Sequence, residues 1–75
     1  MTGIANTKQL GLLMRARRKS LGLTLARLAG IAGTSIRFLS ELENGRPTAR
    51  VGLVLHVLQT LSLDVDVSPR GHDRD

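Results

Sequence analysis

The residues of this chain whose types and spacing could do chemistry lie between Gly33 and Gly45, in the run G-T-S-I-R-F-L-S-E-L-E-N-G. On a helix, Ser35, Arg37, Ser40 and Glu41 fall on one side and Leu39 and Leu42 on the other. Hydroxyl, guanidinium and carboxylate groups with no nucleophile–base pair among them suit hydrogen bonding to base edges rather than bond breaking. Arg37 is the long donor near the start of this stretch. Its expected target is guanine, a contact worth ~1–3 kcal/mol of discrimination; the alternatives are a phosphate contact or a solvated side chain. Ser35 is first of all a helix cap, its hydroxyl bonding a free N–H of the next turn. Glu41 would be repelled by phosphate and belongs at the edge of such a contact or on a cytosine amine.

Other chemistries are poorly supplied. The chain has no cysteine and two histidines, His56 and His72, so no disulfide framework, thiolate site or metal centre is expected. No Ser/His/Asp arrangement suggests nucleophilic catalysis, and no glycine-rich phosphate loop follows a strand. Neither an enzyme nor a cofactor nor a small-molecule substrate is expected. No apolar run approaches the roughly 20 residues of a membrane span, and Met1–Thr7 lacks a signal-peptide layout. The expected location is cytoplasmic.

The net charge is +5 over 75 residues, and its placement is uneven. Residues 8–50 carry nine Lys/Arg against Glu41 and Glu43, net +7, whereas residues 51–75 are net −2. The basic part coincides with the candidate helix and would attract a polyphosphate with salt-dependent affinity. Taken alone, it could also be a solvated basic surface.

The elements that must position these side chains can be read in order. Met1–Asn6 shows no periodicity and is expected as a flexible arm. Thr7 is the cap candidate for a first helix to about Leu21, stopped by Gly22. Leu10, Leu13 and Met14 form its apolar face, while Arg15, Arg18 and Lys19 fall largely outside it. Leu12 is an apolar residue left for a partner. Thr24 caps a short second helix, Leu25 to about Ala32, which buries Leu28, Ala29 and Ala32 or Ile31. Small Ala29 lets the third helix approach, and Gly33 makes the turn, the layout of a helix-turn-helix.

After Arg46-Pro47-Thr48, a fourth helix from about Ala49 to Leu61 is apolar on nearly every side. Val51, Val54, Leu58 and Leu61 lie at core spacing. Leu53, Leu55 and Val57 are left facing outward or sideways, which calls for a partner. Leu63-Asp64-Val65-Asp66-Val67 alternates apolar and acidic, the period of a strand. A single strand in a helical chain has an unpaired ladder, and pairing with the same strand of a second copy would satisfy it. The alternative is an extension of helix four or an extended coil. Ser68–Asp75 is expected as a disordered tail.

These residues resemble a known family. Gly22–Gly45 is similar to the helix-turn-helix of the Cro and lambda-repressor (Xre-type) class, at Thr24, Leu28, Ala29, Gly33, Leu39, Ser40, Glu43, Asn44 and Gly45. With helices one and four, the likeness spans about Thr7–Leu61. It implies an all-α fold of four to five helices, with Ser35, Ile36, Arg37 and Ser40 at DNA bases and Thr24, Asn44 and Arg46 at phosphates. It also implies an ion pair between Arg18 and Glu43, and Leu28, Ala29, Leu39 and Leu42 in the core. Two positions depart from the pattern. Leu25 stands where the family commonly has a glutamine that braces the backbone contact. Ile36 stands where a polar residue is common; it can pack on a thymine methyl but cannot hydrogen-bond a base.

A narrower resemblance, in E-L-E-N-G-R-P-T-A-R, V-L-Q-T-L-S-L and the strand pattern after them, is to HipB-type antitoxins. It implies a homodimer, with Leu53, Val57, Leu63, Val65 and Val67 at the interface, that binds double-stranded DNA at a palindromic operator. It further implies that the dimer represses its own operon and binds a HipA-like serine/threonine kinase toxin. The competing expectations are a stand-alone repressor and an adaptor that keeps the fold without binding DNA.

Overall fold

A computed structural model of the chain describes residues 4–69. Expectations for residues 1–3 of the arm, residues 70–75 of the tail and His72 lie outside the described residues. Four helices follow in order: α1 Thr7–Ser20, α2 Leu25–Ala32, α3 Ile36–Glu43 and α4 Val51–Thr60. Helix α3 packs on α1 and α2, and α2 also packs on α4.

Local chemistry sets the boundaries. Thr24 Oγ1 accepts from Arg27 N at 3.0 Å and starts α2; Ser35 Oγ accepts from Phe38 N at 3.0 Å and starts α3. Between them Gly33 sits in the left-handed region, φ 71°, which turns the chain without a Cβ clash. The start of α1 differs from the expectation. Asn6, not Thr7, is the cap, its side-chain oxygen accepting from Gln9 N at 2.9 Å. Gln9 Oε1 reaches back to accept from Ala5 N at 2.7 Å. Ala5 and Asn6 thus belong to the helix start and not to an arm. The physical reason is that asparagine caps at least as well as threonine, and the Thr7 hydroxyl is used elsewhere: it donates to Gly45 O at 2.7 Å.

The core is Met14, Leu28, Ala29, Ala32, Leu39, Leu42, Val57, Leu58 and Leu61. Leu10, Leu23, Leu25, Phe38, Val54 and Leu63 pack around it. On α1 the buried stripe is Gly11, Met14 and Arg18, and Leu13 is 42% exposed. On α2, Ala32 rather than Ile31 faces inward.

Helix α4 is rotated from the expected setting. Val57 is fully buried in the single chain, so it is a core residue and not a dimer contact, whereas Val51 is 60% exposed. Val54, Val57, Leu58 and Leu61 give the i, i+3, i+4, i+7 stripe that a short helix can press on a core. Val51, one turn earlier, lines an open apolar groove instead of the core. Helix α4 begins at Val51 with no side-chain cap; just before it, Thr48 Oγ1 accepts from Arg50 N at 3.1 Å. At its other end Arg17 Nε donates to Leu61 O at 2.9 Å, satisfying a carbonyl at the helix terminus.

Residues 63–69 take no regular structure in the single chain. A strand at 63–67 needs a ladder partner, and none lies among the described residues. Leu63 is half-buried against its own core, so it is not a purely intersubunit residue, while Val65 and Val67 are exposed.

Candidate nucleic-acid interface

Helix α3 presents two unlike faces. Leu39 and Leu42 are buried, while Arg37, Ser40, Glu41 and Asn44 recur at i, i+3, i+4 and i+7 on the opposite side. The Arg37 side chain is 88% exposed and its Nε lies 3.4 Å from Glu41 Oε2. An exposed pair of this kind contributes about 0.3–0.5 kcal/mol at most. Glu41 thus steers the guanidinium without locking it, and a base edge or phosphate can take it over. Ile36 is half exposed in the first turn. Ser35 is held by its capping bond, with its hydroxyl at the surface.

Of the residues expected at phosphates, Asn44 is the last of this stripe. Thr24 is exposed at the start of α2, and Asn44 and Arg46 are exposed just beyond α3. Ser40 and Asn44 share a polar depression with Arg15, Arg18, Leu25 and Glu43. Arg46 instead lines an apolar groove with Thr7, Leu10, Leu42, Thr48, Val51 and Val54, so its stem is over hydrocarbon. Thr24 and Ser35 at two helix starts, and Asn44 and Arg46 after α3, are thus all exposed polar residues.

Arg18 and Glu43 set the pitch of that face. Arg18 Nε donates to Glu43 Oε2 at 2.7 Å and Arg18 Nη2 to Glu43 Oε1 at 3.1 Å, a bidentate pair. Arg18 Nη1 also donates to Leu23 O at 2.8 Å. The two side chains are only 10% and 6% exposed. The hydrogen bond to the Glu43 carboxylate raises the Arg18 pKa above its ordinary value despite the opposing effect of burial. One guanidinium thus ties α1, the α1–α2 loop and the last turn of α3 into a single unit.

Two further contacts were not found by sequence reasoning. The Arg50 guanidinium lies 5.3 Å from the centre of the Phe38 ring, linking the loop before α4 to α3. No spacing rule connects residues twelve apart, one of them in a loop, so this pair had no signal. Gly11 is buried where α1 crosses the end of α3. It did have a signal, because a glycine inside a helix is costly and calls for a packing reason.

Among the described residues no cluster of His, Cys, Asp or Glu could hold a metal ion. No helix among them is long and apolar enough to cross a membrane.

Four short helices with a glycine turn between α2 and α3, and a polar stripe on α3, define a helix-turn-helix domain. The helix-turn-helix domain family matches residues 9–70. The chain belongs to that family of DNA-binding transcriptional regulators. It is 44% identical over 71 residues to y4mF of Sinorhizobium fredii, an uncharacterised HTH-type transcriptional regulator, covering 95% of this chain and 93% of that one. Among solved structures it is similar to HipB. The complex of a HipB variant with an O2 20mer matches at TM-score 0.81 and 26% identity, over 93% of this chain and 97% of that one. A HipA–HipB–O2–O3 complex matches at TM-score 0.81 and 24% identity, over 93% and 99%.

Proposed function

We propose that this chain is a homodimeric, sequence-specific repressor that acts as the antitoxin of a type II toxin–antitoxin pair. It binds a palindromic operator in its own promoter and a HipA-like serine/threonine kinase. The observation that carries the DNA-binding half is the exposed polar stripe of α3 within a strongly basic domain. The likeness to HipB in its DNA complexes supports it. In this reading Ser35, Ile36, Arg37 and Ser40 meet bases, and Thr24, Asn44 and Arg46 meet phosphates. Arg37→Ala should weaken operator binding by about 5- to 150-fold, the equivalent of ~1–3 kcal/mol. Circular dichroism should stay unchanged, because the side chain is almost wholly in solvent. Unchanged affinity by fluorescence anisotropy would remove Arg37 from base reading.

Dimerisation supplies the second recognition helix, about 34 Å from the first in a two-fold arrangement. In α4 and the segment after it, exposed Val51, Leu55, Val65 and Val67, with half-buried Leu53 and Leu63, are the apolar residues left to cover. Pairing of residues 63–67 between copies would satisfy backbone that has no ladder among the described residues. Deleting residues 64–75 keeps Leu63 on its core and should shift the sedimentation mass toward one chain. A mass that stays at two chains would place the interface elsewhere.

The toxin half draws on the HipA–HipB neighbour. The name of the y4mF relative, which mentions regulation alone, favours a second reading, a repressor without a toxin. Co-expression with the product of the adjacent gene separates the two. Co-purification with a kinase supports the antitoxin reading, and a lone dimer that still represses supports the other.

A further inference from the structure

Between the first turn of α2 and the end of α3 the surface dips into a depression of about 180 Å³ lined by Arg15, Arg18, Leu25, Ser40, Glu43 and Asn44. Arg18 meets both oxygens of Glu43 and so cancels its charge. Arg15, on α1, is exposed and has no acidic partner among the described residues. The depression therefore carries one uncompensated positive charge, at its rim. Ser40 and Asn44 add neutral donors from the edge of the recognition stripe. The N–H groups of Leu25 and Ala26, at the start of α2, have no carbonyl ahead of them in the helix. Leu25 itself forms an apolar wall with no side-chain donor.

We propose that this depression seats one backbone phosphate of the DNA and that Arg15 supplies the charged contact to it, in the place where Leu25 can supply none. Helix α1 then grips the duplex together with the helix-turn-helix. The proposal rests on the DNA-binding reading above. The occupant is a phosphodiester because the seat offers one net positive charge and the neutral amide of Asn44, and because Ser40 at its edge belongs to the stripe that would enter the groove. A phosphate contact positions the protein and carries no sequence information, so the effect of losing it is uniform across sequences.

The test is titration of the full chain, as wild type and Arg15→Gln, against its own upstream DNA and a mixed-sequence duplex, over about 50–200 mM salt. Arg15→Gln should weaken binding to both duplexes by the same factor. It should also make the log–log salt slope shallower by about 1 per chain. Leu25→Gln should restore affinity in the Arg15→Gln background and add little to wild type, because both side chains would serve one phosphate. Its melting temperature checks that the fold survives. Wild-type binding with an Arg15→Gln slope and affinity unchanged would overturn the seat while leaving the DNA-binding reading intact. Equal gains from Leu25→Gln in both backgrounds would show two independent contacts and overturn it likewise. Absence of any salt-dependent binding by the wild type would remove the DNA-binding reading and the seat together.

Discussion

Glu43→Ala should cost about 3–5 kcal/mol of folding stability, because it leaves the Arg18 guanidinium buried without its counter-charge. The cost is not the worth of the pair, which desolvation reduces, but the penalty for the arginine left behind. Arg18 would keep its bond to Leu23 O and lose both bonds to the carboxylate. At roughly 0.05–0.15 kcal/mol per residue, a 75-residue domain holds about 4–11 kcal/mol in all. The variant should therefore be partly unfolded at 37 °C, and urea unfolding at a lower temperature would read the loss. Replacing both partners with apolar residues of similar length, Arg18→Met with Glu43→Leu, should recover most of it. A single variant that melts with the wild type would mean that the pair is open in solution and does not fix α3.

Gly11→Ala should also be strongly destabilising, and the sign is informative. Helix propensity alone favours alanine over glycine by about 0.8–1.0 kcal/mol. At position 11, however, an added Cβ would lie 2.6 Å from Glu43 O and 2.8 Å from Glu43 C, and would also run into Leu42 O. These are backbone atoms of α3, so relief requires α1 and α3 to separate. Separation would stretch the Arg18–Glu43 bonds and the Thr7–Gly45 bond at the same crossing. Overpacking of this kind costs about 1–3 kcal/mol or more, enough to reverse the propensity gain. Gly52→Ala is the matched comparison: that glycine is in α4 with open space where the Cβ would go. It should raise the melting temperature. If both substitutions stabilise, α1 and α3 are not in close contact in solution.

Much of this architecture was legible because the signals were local. Thr24, Ser35 and Gly33 each carry the chemistry of a cap or a turn, and the α2–turn–α3 boundaries follow from them. The inward face of α3 followed from the spacing of Leu39 and Leu42. Where two residues could do the same task, the sequence left the choice open. Asn6 and Thr7 are both capping types, and only the distant Gly45 carbonyl decides between them. Helix α4 was harder because apolar residues on every side give no single direction. Its rotation, with Val57 inward and Val51 outward, is set by where α2 and the rest of the core lie. Position 18 shows the limit of reading burial from residue type. Arg18 was placed largely outside the apolar face of α1, yet it lies in that face's buried stripe, because its charge is met by Glu43 from α3. The alternation at 63–67 is a pattern of the sequence that meets no ladder partner among the described residues.

The central claim is that two copies of this chain present paired recognition helices to one duplex. Its most direct test is sedimentation of the full chain with the DNA upstream of its own gene, at low and at moderate salt. The expected result is a complex of two chains per site that dissociates as salt rises, with no stable one-chain complex. A chain that stays monomeric, or that leaves this DNA unbound at low salt, would contradict it.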